Sequence, residues 1–412
     1  MTTRRVAVTG FGLVSSIGLD EGTVWKNLLA GRTGIRPLEG FDLDGIDVVN
    51  GGQVQTAELD ERQDRRARRV GRTIRFALEA ARQALEAAGR ISSESQDVAS
   101  VWGSAYGPCE ALYATQRRYV ERGVKGMRPS TVPMSMVNSI SSGVSIQFQL
   151  LGTNQAIVSA CTSATNAIGL AFRMIRDRHA DAVLCGGVDA CFDPYHYGAW
   201  NNLGVLSKIP EPERALRPFA ADRDGTLIGE GAGALLLESL ELAESRGARI
   251  RGEIVGYGES SDATHLTSPS VEGQIKAIRG ALDSAGVAPG AIGFVNAHGT
   301  ATQSNDATES RSILEALGPA GAGIPVSASK SYFGHTLGAS GAIESIATLL
   351  SLEAGVLPPN LNLEHPDPEC SIALVGENPL EIDAELAMKT SFGFGGGNGV
   401  LIFRRSADGA AA

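Results

Sequence analysis

The chain repeats itself in order, and any fold it adopts must accommodate that repetition. Val8-Thr9-Gly10-Phe11-Gly12 is echoed by Val255-Gly256-Tyr257-Gly258, each a β-branched start closing in Gly-aromatic-Gly. Ala84-Leu85-Glu86-Ala87-Ala88-Gly89 is echoed by Ala281-Leu282-Asp283-Ser284-Ala285-Gly286, both helix ends with the glycine expected just beyond the C-cap. Val101-Trp102-Gly103-Ser104-Ala105-Tyr106-Gly107 lines up with Val295-Asn296-Ala297-His298-Gly299-Thr300 at nearly the same offset. Ser159-Ala160-Cys161-Thr162-Ser163 has a looser counterpart in Ser327-Ala328-Ser329-Lys330-Ser331. The pattern predicts two similar halves, residues 1–252 and 253–412. The 51 glycines among 412 residues suit a chain with many tight turns.

Each half reads as alternating strand and helix. Val70, Ile74, Ala77, Leu78, Ala81, Leu85 and Ala88 fall at helical spacing, and Ala182–Gly186 and Gly233–Glu238 look like short strands buried on both faces. Ser239–Arg251 is charged and reads as helix, and the tail from Ala407 as unstructured. The alternation means α/β, and two βα halves side by side bring their strand-to-helix turns to one crevice.

No run approaches 18 consecutive apolar residues, so no membrane span is expected. A net charge of −10 opposes nucleic acid and anionic membrane as partners. Five scattered cysteines make no disulfide framework, which fits a cytoplasmic protein. No zinc spacing or phosphate loop is present; Asp222-Arg223-Asp224-Gly225 starts like a calcium loop but lacks the later ligands. Neither metal nor cofactor is expected.

Cys161 stands where a β-branched run breaks and a helix restarts, a position whose dipole favours the thiolate and predicts a lowered pKa. Cys109, Cys185, Cys191 and Cys370 read as buried bystanders. Of six histidines, His298 follows the strand-like Ile292-Gly293-Phe294-Val295, and His335 sits in the Gly-rich turn Lys330–Ala342 ahead of a helix. One cysteine and two histidines suit acyl transfer: the thiolate takes an acyl group, and the imidazoles stabilise charge on a second thioester. A cysteine protease would leave the second histidine and Lys330 unexplained.

At these residues the chain resembles the β-ketoacyl-[acyl-carrier-protein] synthases of the thiolase fold, elongating (KAS I/II) type, closest in look to the type II fatty acid enzyme. The motifs are Ala160-Cys161-Thr162-Ser163, Arg217-Pro218-Phe219 with Asp222–Gly225, Gly229-Glu230-Gly231-Ala232-Gly233, Asn296–Thr300, Lys330–Gly341 and Ser391-Phe392-Gly393-Phe394-Gly395-Gly396. The resemblance implies an α/β thiolase-like fold of two duplicated βα halves, layered α-β-α-β-α. It implies decarboxylative condensation of malonyl-ACP with an acyl chain on Cys161, extending it by two carbons in fatty acid biosynthesis. His298 and His335 would assist decarboxylation. Lys330 would order the site in a network with Glu309, and Phe392 would support it. Backbone amides of Cys161 and Phe394 would form an oxyanion hole, Phe394 also acting as a gate.

The implied partners are acyl-ACP and malonyl-ACP. The docking candidates are the basic runs Arg62, Arg65, Arg66, Arg68, Arg69 and Arg72, and Arg117, Arg118, Arg122, Lys125 and Arg128. Pro133–Leu151 matches the family's dimer interface, so a homodimer is expected. Gly397, Asn305 and Gln303 depart from the fatty acid pattern and keep open a type II polyketide or polyene ketosynthase, paired with a chain-length factor. Tyr106, in the family's pocket-lining stretch, would shorten the acyl channel. A CoA thiolase would want a second cysteine within Phe392–Gly399, an initiating synthase an asparagine at His335, and a non-catalytic chain-length partner no Cys161.

Overall fold

The computed structural model describes residues 3–57, 59, 70–91 and 96–406. Arg62, Arg65, Arg66, Arg68 and Arg69 and the tail from Ala407 lie outside the described residues.

The main sheet uses β1 (Val6–Val14), β2 (Ala99–Gly103), β3 (Asn154–Ile157), β4 (Ala182–Asp189), β5 (Gly231–Ser239), β6 (Gly252–Ser261), β7 (Ile292–Asn296), β8 (Pro325–Ser327), β9 (Ala373–Leu374), β10 (Leu386–Gly393) and β11 (Gly397–Arg404). Their order across the sheet is β9-β8-β7-β10-β11-β6-β1-β5-β4-β2-β3. In the first half β3, β2 and β4 run parallel, and β5 and β1 follow antiparallel. The second half repeats this with β8, β7 and β10 parallel, then β11 and β6 antiparallel. The halves meet where Val6–Val8 of β1 pairs with Gly252–Ile254 of β6.

The helices used below are α1 (Glu21–Leu29), α2 (Arg72–Ala87), α3 (Cys109–Arg122), α4 (Ser139–Phe148), α5 (Ser163–Arg176), α6 (Pro194–Leu203), α7 (Val271–Ala285), α8 (Gln303–Leu317) and α9 (Ser340–Ala354). The central pair α5 and α9 touches both half-sheets. Outside them, α2 and α4 cover the first half-sheet, and α7 and α8 the second. That is the five-layer α-β-α-β-α order the resemblance implies. Ser340 to Leu352 of α9 is buried on every face, as a helix packed between two sheets must be.

The Gly-aromatic-Gly echo has a packing cause. A Cβ on Gly10 would fall 2.2 Å from the Ala84 carbonyl oxygen, and one on Gly12 2.4 Å from that of Ala80. In the second half Gly256 meets Ala281 at 2.4 Å and Gly258 meets Ala277 at 2.1 Å. Each strand thus presents bare backbone to an alanine-lined helix, while the intervening Phe11 and Tyr257 point the other way, into the core around α5 and α9. Gly258→Ala is therefore expected to lower stability by about 1–3 kcal/mol, read as a lower urea midpoint at unchanged slope.

Two sequence expectations need correction. Helix within Ser239–Arg251 covers only Leu240–Ser245, because the chain must turn at Gly247 (φ 65°) to enter β6 at Gly252. The counterpart of the Cys161 turn is Thr336-Leu337-Gly338-Ala339-Ser340 rather than Ser327–Ser331. Ala160 (φ 51°) and Leu337 (φ 52°) share the left-handed conformation, each the first residue of a short 3₁₀ turn that opens α5 or α9. The repeat here is one of backbone shape.

Candidate active site

Cys161 lies in the 3₁₀ turn Ala160–Thr162 at the head of α5. A left-handed non-glycine residue such as Ala160 costs about 1–3 kcal/mol and persists only where its surroundings enforce it. Here the Ser163 hydroxyl donates to the Ala160 carbonyl at 2.7 Å and accepts the Ser159 N–H at 2.9 Å.

His335 is carried over from the second half by backbone pairing to the Gly229-Glu230-Gly231 motif. Its N–H donates to the Leu227 carbonyl at 2.7 Å, and the Gly229 N–H donates to its own carbonyl at 2.9 Å. Gly229 is required because a Cβ there would lie 2.0 Å from the Phe333 carbonyl oxygen. The ring places Nε2 3.1 Å from Cys161 Sγ. Its Nδ1 accepts the Leu337 N–H at 3.3 Å and contacts Ser340 Oγ at 3.0 Å. A backbone N–H can only donate, so the neutral imidazole carries its proton on Nε2, facing the sulfur.

His298 follows β7 at the strand's carboxyl end. Glu309 holds this turn by accepting the N–H of His298 at 2.7 Å and of Gly299 at 2.8 Å, with the Thr390 hydroxyl donating to it at 2.7 Å. Asn305 donates to Glu309 at 3.3 Å and to Asp306 at 3.1 Å, so the side chain that departs from the fatty acid pattern links two buried carboxylates. Lys330 Nζ sits 3.2 Å from His298 Nδ1, which again leaves the proton on Nε2. The carboxylate paired with Lys330 is Glu344, at 2.5 Å, and Glu309 serves backbone amides instead. The two imidazoles stand edge to face with centroids 5.2 Å apart, and Phe392 meets His298 edge-on at 6.1 Å.

Burial holds both histidines well below the ordinary imidazole pKa, and the ammoniums of Lys330 and Lys389 push the same way. Both are neutral across the physiological range. Cys161 corrects the expectation of a lowered thiol pKa: burial pushes it up to about 11, outweighing the backbone N–H groups of Phe394 and Cys161 and the charge of Lys330. The donor atoms of Cys161, His298 and His335 lie within 4.8 Å of one another, but the adjacent buried ammoniums oppose a divalent cation.

These three residues line a cavity of 280 Å³ with Trp200, Leu266, Thr300, Thr302, Asn305 and Phe394. Phe394 is 38% exposed and stacks on Trp200 at 5.9 Å, and Gly395 (φ 83°) and Gly396 (φ 77°) follow it in the left-handed region. Tyr106 packs edge-on against His196 at 5.4 Å, and His196 Nδ1 meets Asp193 at 2.7 Å. The Cys109 thiol donates to the Ala190 carbonyl.

Sequence reasoning passes over Glu344, Lys389 and Trp200. The only available signal was a charged residue inside an apolar helix and another inside an apolar strand. Arg122, Lys125 and Arg128 are exposed. Arg72 is committed elsewhere, to the buried Glu230 and the Val54 carbonyl. Arg223, from the calcium-like run, is buried against Asp367 and the carbonyls of Ala220, Thr302 and Gln303.

A nucleophile between two Nε2–H donors on a duplicated α/β scaffold defines a condensing-enzyme class of site. Residues 3–243 match the beta-ketoacyl synthase N-terminal domain, and residues 251–364 the C-terminal domain. The chain is 38% identical over 408 residues to 3-oxoacyl-[acyl-carrier-protein] synthase 2 of Synechocystis, covering 98% of each. Among solved structures it is similar to the ishigamide ketosynthase/chain length factor (33% identity, TM-score 0.91, 98% of this chain and 100% of that one). It is also similar to a type II polyketide ketosynthase in complex with its acyl-carrier protein (29% identity, TM-score 0.91, the same coverage). The chain belongs to the β-ketoacyl synthase family, whose members are acyltransferase-type condensing enzymes of the thiolase-like fold. Among the described residues no helix is long and apolar enough to cross a membrane.

Proposed function

We propose that this chain is a β-ketoacyl-acyl-carrier-protein synthase that extends acyl chains by two carbons in fatty acid biosynthesis. In the first half-reaction Cys161 Sγ attacks the thioester of acyl-ACP, the carrier thiol leaves with the proton, and the acyl group stays on sulfur. The amides of Cys161 and Phe394 receive the developing oxyanion. In the second, malonyl-ACP loses CO₂ while His298 and His335 donate Nε2–H bonds to its thioester oxygen. The resulting enolate carbon attacks the acyl-Cys161 carbonyl, and the Cys161 thiolate leaves.

The observation that carries this reading is the pair of fixed tautomers: Lys330 and the Leu337 amide occupy the two Nδ1 atoms, leaving two N–H donors beside the thiol. A thiol pushed up by burial suits the role, because the buried site favours an uncharged resting cysteine and a thioester leaves no charge behind. The test is incubation with labelled acyl-ACP and malonyl-ACP. A β-ketoacyl product two carbons longer supports the reading, and none contradicts it.

For the carrier protein, Arg122, Lys125 and Arg128 form an exposed basic surface at the end of α3. The double reversal Lys125→Glu/Arg128→Glu is expected to raise KM for acyl-ACP about tenfold at low salt, less at high salt. Its kcat with a short pantetheine thioester should stay unchanged.

For the oligomer, β3 is an edge strand of the main sheet among the described residues, flanked by exposed Met136, Ile146, Leu151 and Val158. An antiparallel match of two such edges would give a symmetric dimer. A second reading, a ketosynthase of a type II polyketide or polyene pathway whose edge meets a chain-length factor, draws on the polyketide relatives and on Asn305. Product profiles with a panel of acyl donors separate the two.

A further inference from the structure

Lys389 is a fully buried cation beside the two imidazoles to which the mechanism gives no task. It lies on β10, three residues before Phe392, with Nζ 2.7 Å from Glu344 Oε2. The same ammonium donates to Ser391 Oγ at 2.9 Å and to the Thr390 carbonyl. The other oxygen of Glu344 binds Lys330 at 2.5 Å, and Lys330 reaches His298 Nδ1 at 3.2 Å. One fully buried carboxylate is thus shared by two fully buried ammoniums. Removing an ion from water costs several kcal/mol after relaxation, and Lys330 with Glu344 would already balance as a pair. The second cation leaves the triad with one surplus positive charge beside the imidazoles.

We propose that Lys389 is a positioning residue for the condensing reaction: it pins the second oxygen of Glu344, so that the first keeps Lys330 aimed at His298 Nδ1. The inference rests on the role given to His298 under Proposed function. Its physical content is mechanical and electrostatic together. An unpinned Glu344 can rotate about its terminal bond and take Lys330 with it, releasing the constraint that puts the His298 proton on Nε2. The surplus charge also disfavours imidazolium at both rings. The charged and titratable groups around these rings are Lys330, Lys389, Glu344, Glu309 and Cys161, with Asp189 holding the Gly338 N–H of the turn after His335. Of these, the two lysines oppose protonation of the rings.

The test is Lys389→Met, which keeps the neutral Lys330–Glu344 pair and a side chain of similar length. Malonyl-ACP decarboxylation is followed across pH beside acyl loading of Cys161, with Lys389→Arg as the charge-retaining control. The expected results are loading within about twofold of wild type, decarboxylation kcat down on the order of tenfold, and an acid limb displaced to higher pH. The sign follows because losing a nearby positive charge makes imidazolium easier to form. In Lys389→Arg the acid limb should stay with wild type. An unmoved acid limb in Lys389→Met, whatever its kcat, overturns the proposal, since a packing residue would lower activity without altering the profile. If Lys389→Met does not fold, Lys389→Gln, which retains hydrogen bonds without charge, is read by the same criterion. Wild-type decarboxylation by His298→Ala would instead overturn the parent reading, whatever Lys389 does.

Discussion

Cys161→Ala is expected to lower acyl loading and elongation by on the order of a thousandfold or more, since no other thiol can replace it. Cys109, Cys185, Cys191 and Cys370 are buried, and burial pushes each of these thiols up as well. The two backbone amides that oppose the effect of burial at Cys161 are the same groups that would receive a thioester oxyanion, so position and reactivity arise where the Cys161 turn meets the Phe394 loop. Decarboxylation of malonyl-ACP should survive in this variant, because His298 and His335 are held by Lys330, Leu337 and the Gly229 loop rather than by the sulfur. Thermal unfolding should barely change, the side chain being small and its turn being fixed by Ser163. Loading within tenfold of wild type would remove Cys161 from its assigned role.

His298→Ala is expected to separate the half-reactions. In the proposed mechanism the His298 ring donates to the malonyl thioester, whereas the hydrogen-bond neighbour of Sγ is His335, at 3.1 Å. Decarboxylation should fall by about 10²–10⁴, the usual value of one placed acid-base or oxyanion donor, while loading of Cys161 stays within a few-fold. Acylated Cys161 should therefore accumulate and wait. His335→Ala, by contrast, should impair both steps. The pH dependence of wild-type decarboxylation should be flat through neutrality: both imidazole pKa values are depressed, so the neutral forms persist until the pH drops well below the ordinary histidine value. Equal losses in both half-reactions for His298→Ala would mean that the ring supports the site as a whole.

Much of this site was legible in the sequence because its parts need particular residues. Gly10, Gly12, Gly256 and Gly258 announce the duplication since a strand that close to a helix admits no Cβ. Cys161 and His298 stand where a strand gives way towards a helix, and His335 in a Gly-rich turn ahead of one, breaks that the sequence pattern detects. What stayed hidden depends on depth and on distant partners. The Thr336–Ser340 turn repeats the Cys161 turn in φ while sharing little of its composition, so comparison of residue types paired the wrong segments. The sign of the Cys161 shift turns on burial, which a helix-end position does not reveal. Arg72 looked like part of a basic docking run, and only the fold brings Glu230 to it. Glu344 and Lys389 are far apart in sequence and mean little separately; across α9 and β10 they join Lys330 in one ion triad.

The most direct measurement is mass spectrometry of the intact chain and its Cys161 peptide, first with acyl-ACP alone and then after a malonyl-ACP chase. The first sample should show one acyl group, on Cys161. The second should show the cysteine emptied and a carrier-bound β-ketoacyl chain two carbons longer, with one CO₂ released per turnover. An acyl group on another residue, or a Cys161 adduct that the malonyl chase leaves in place, would contradict condensation at this thiol.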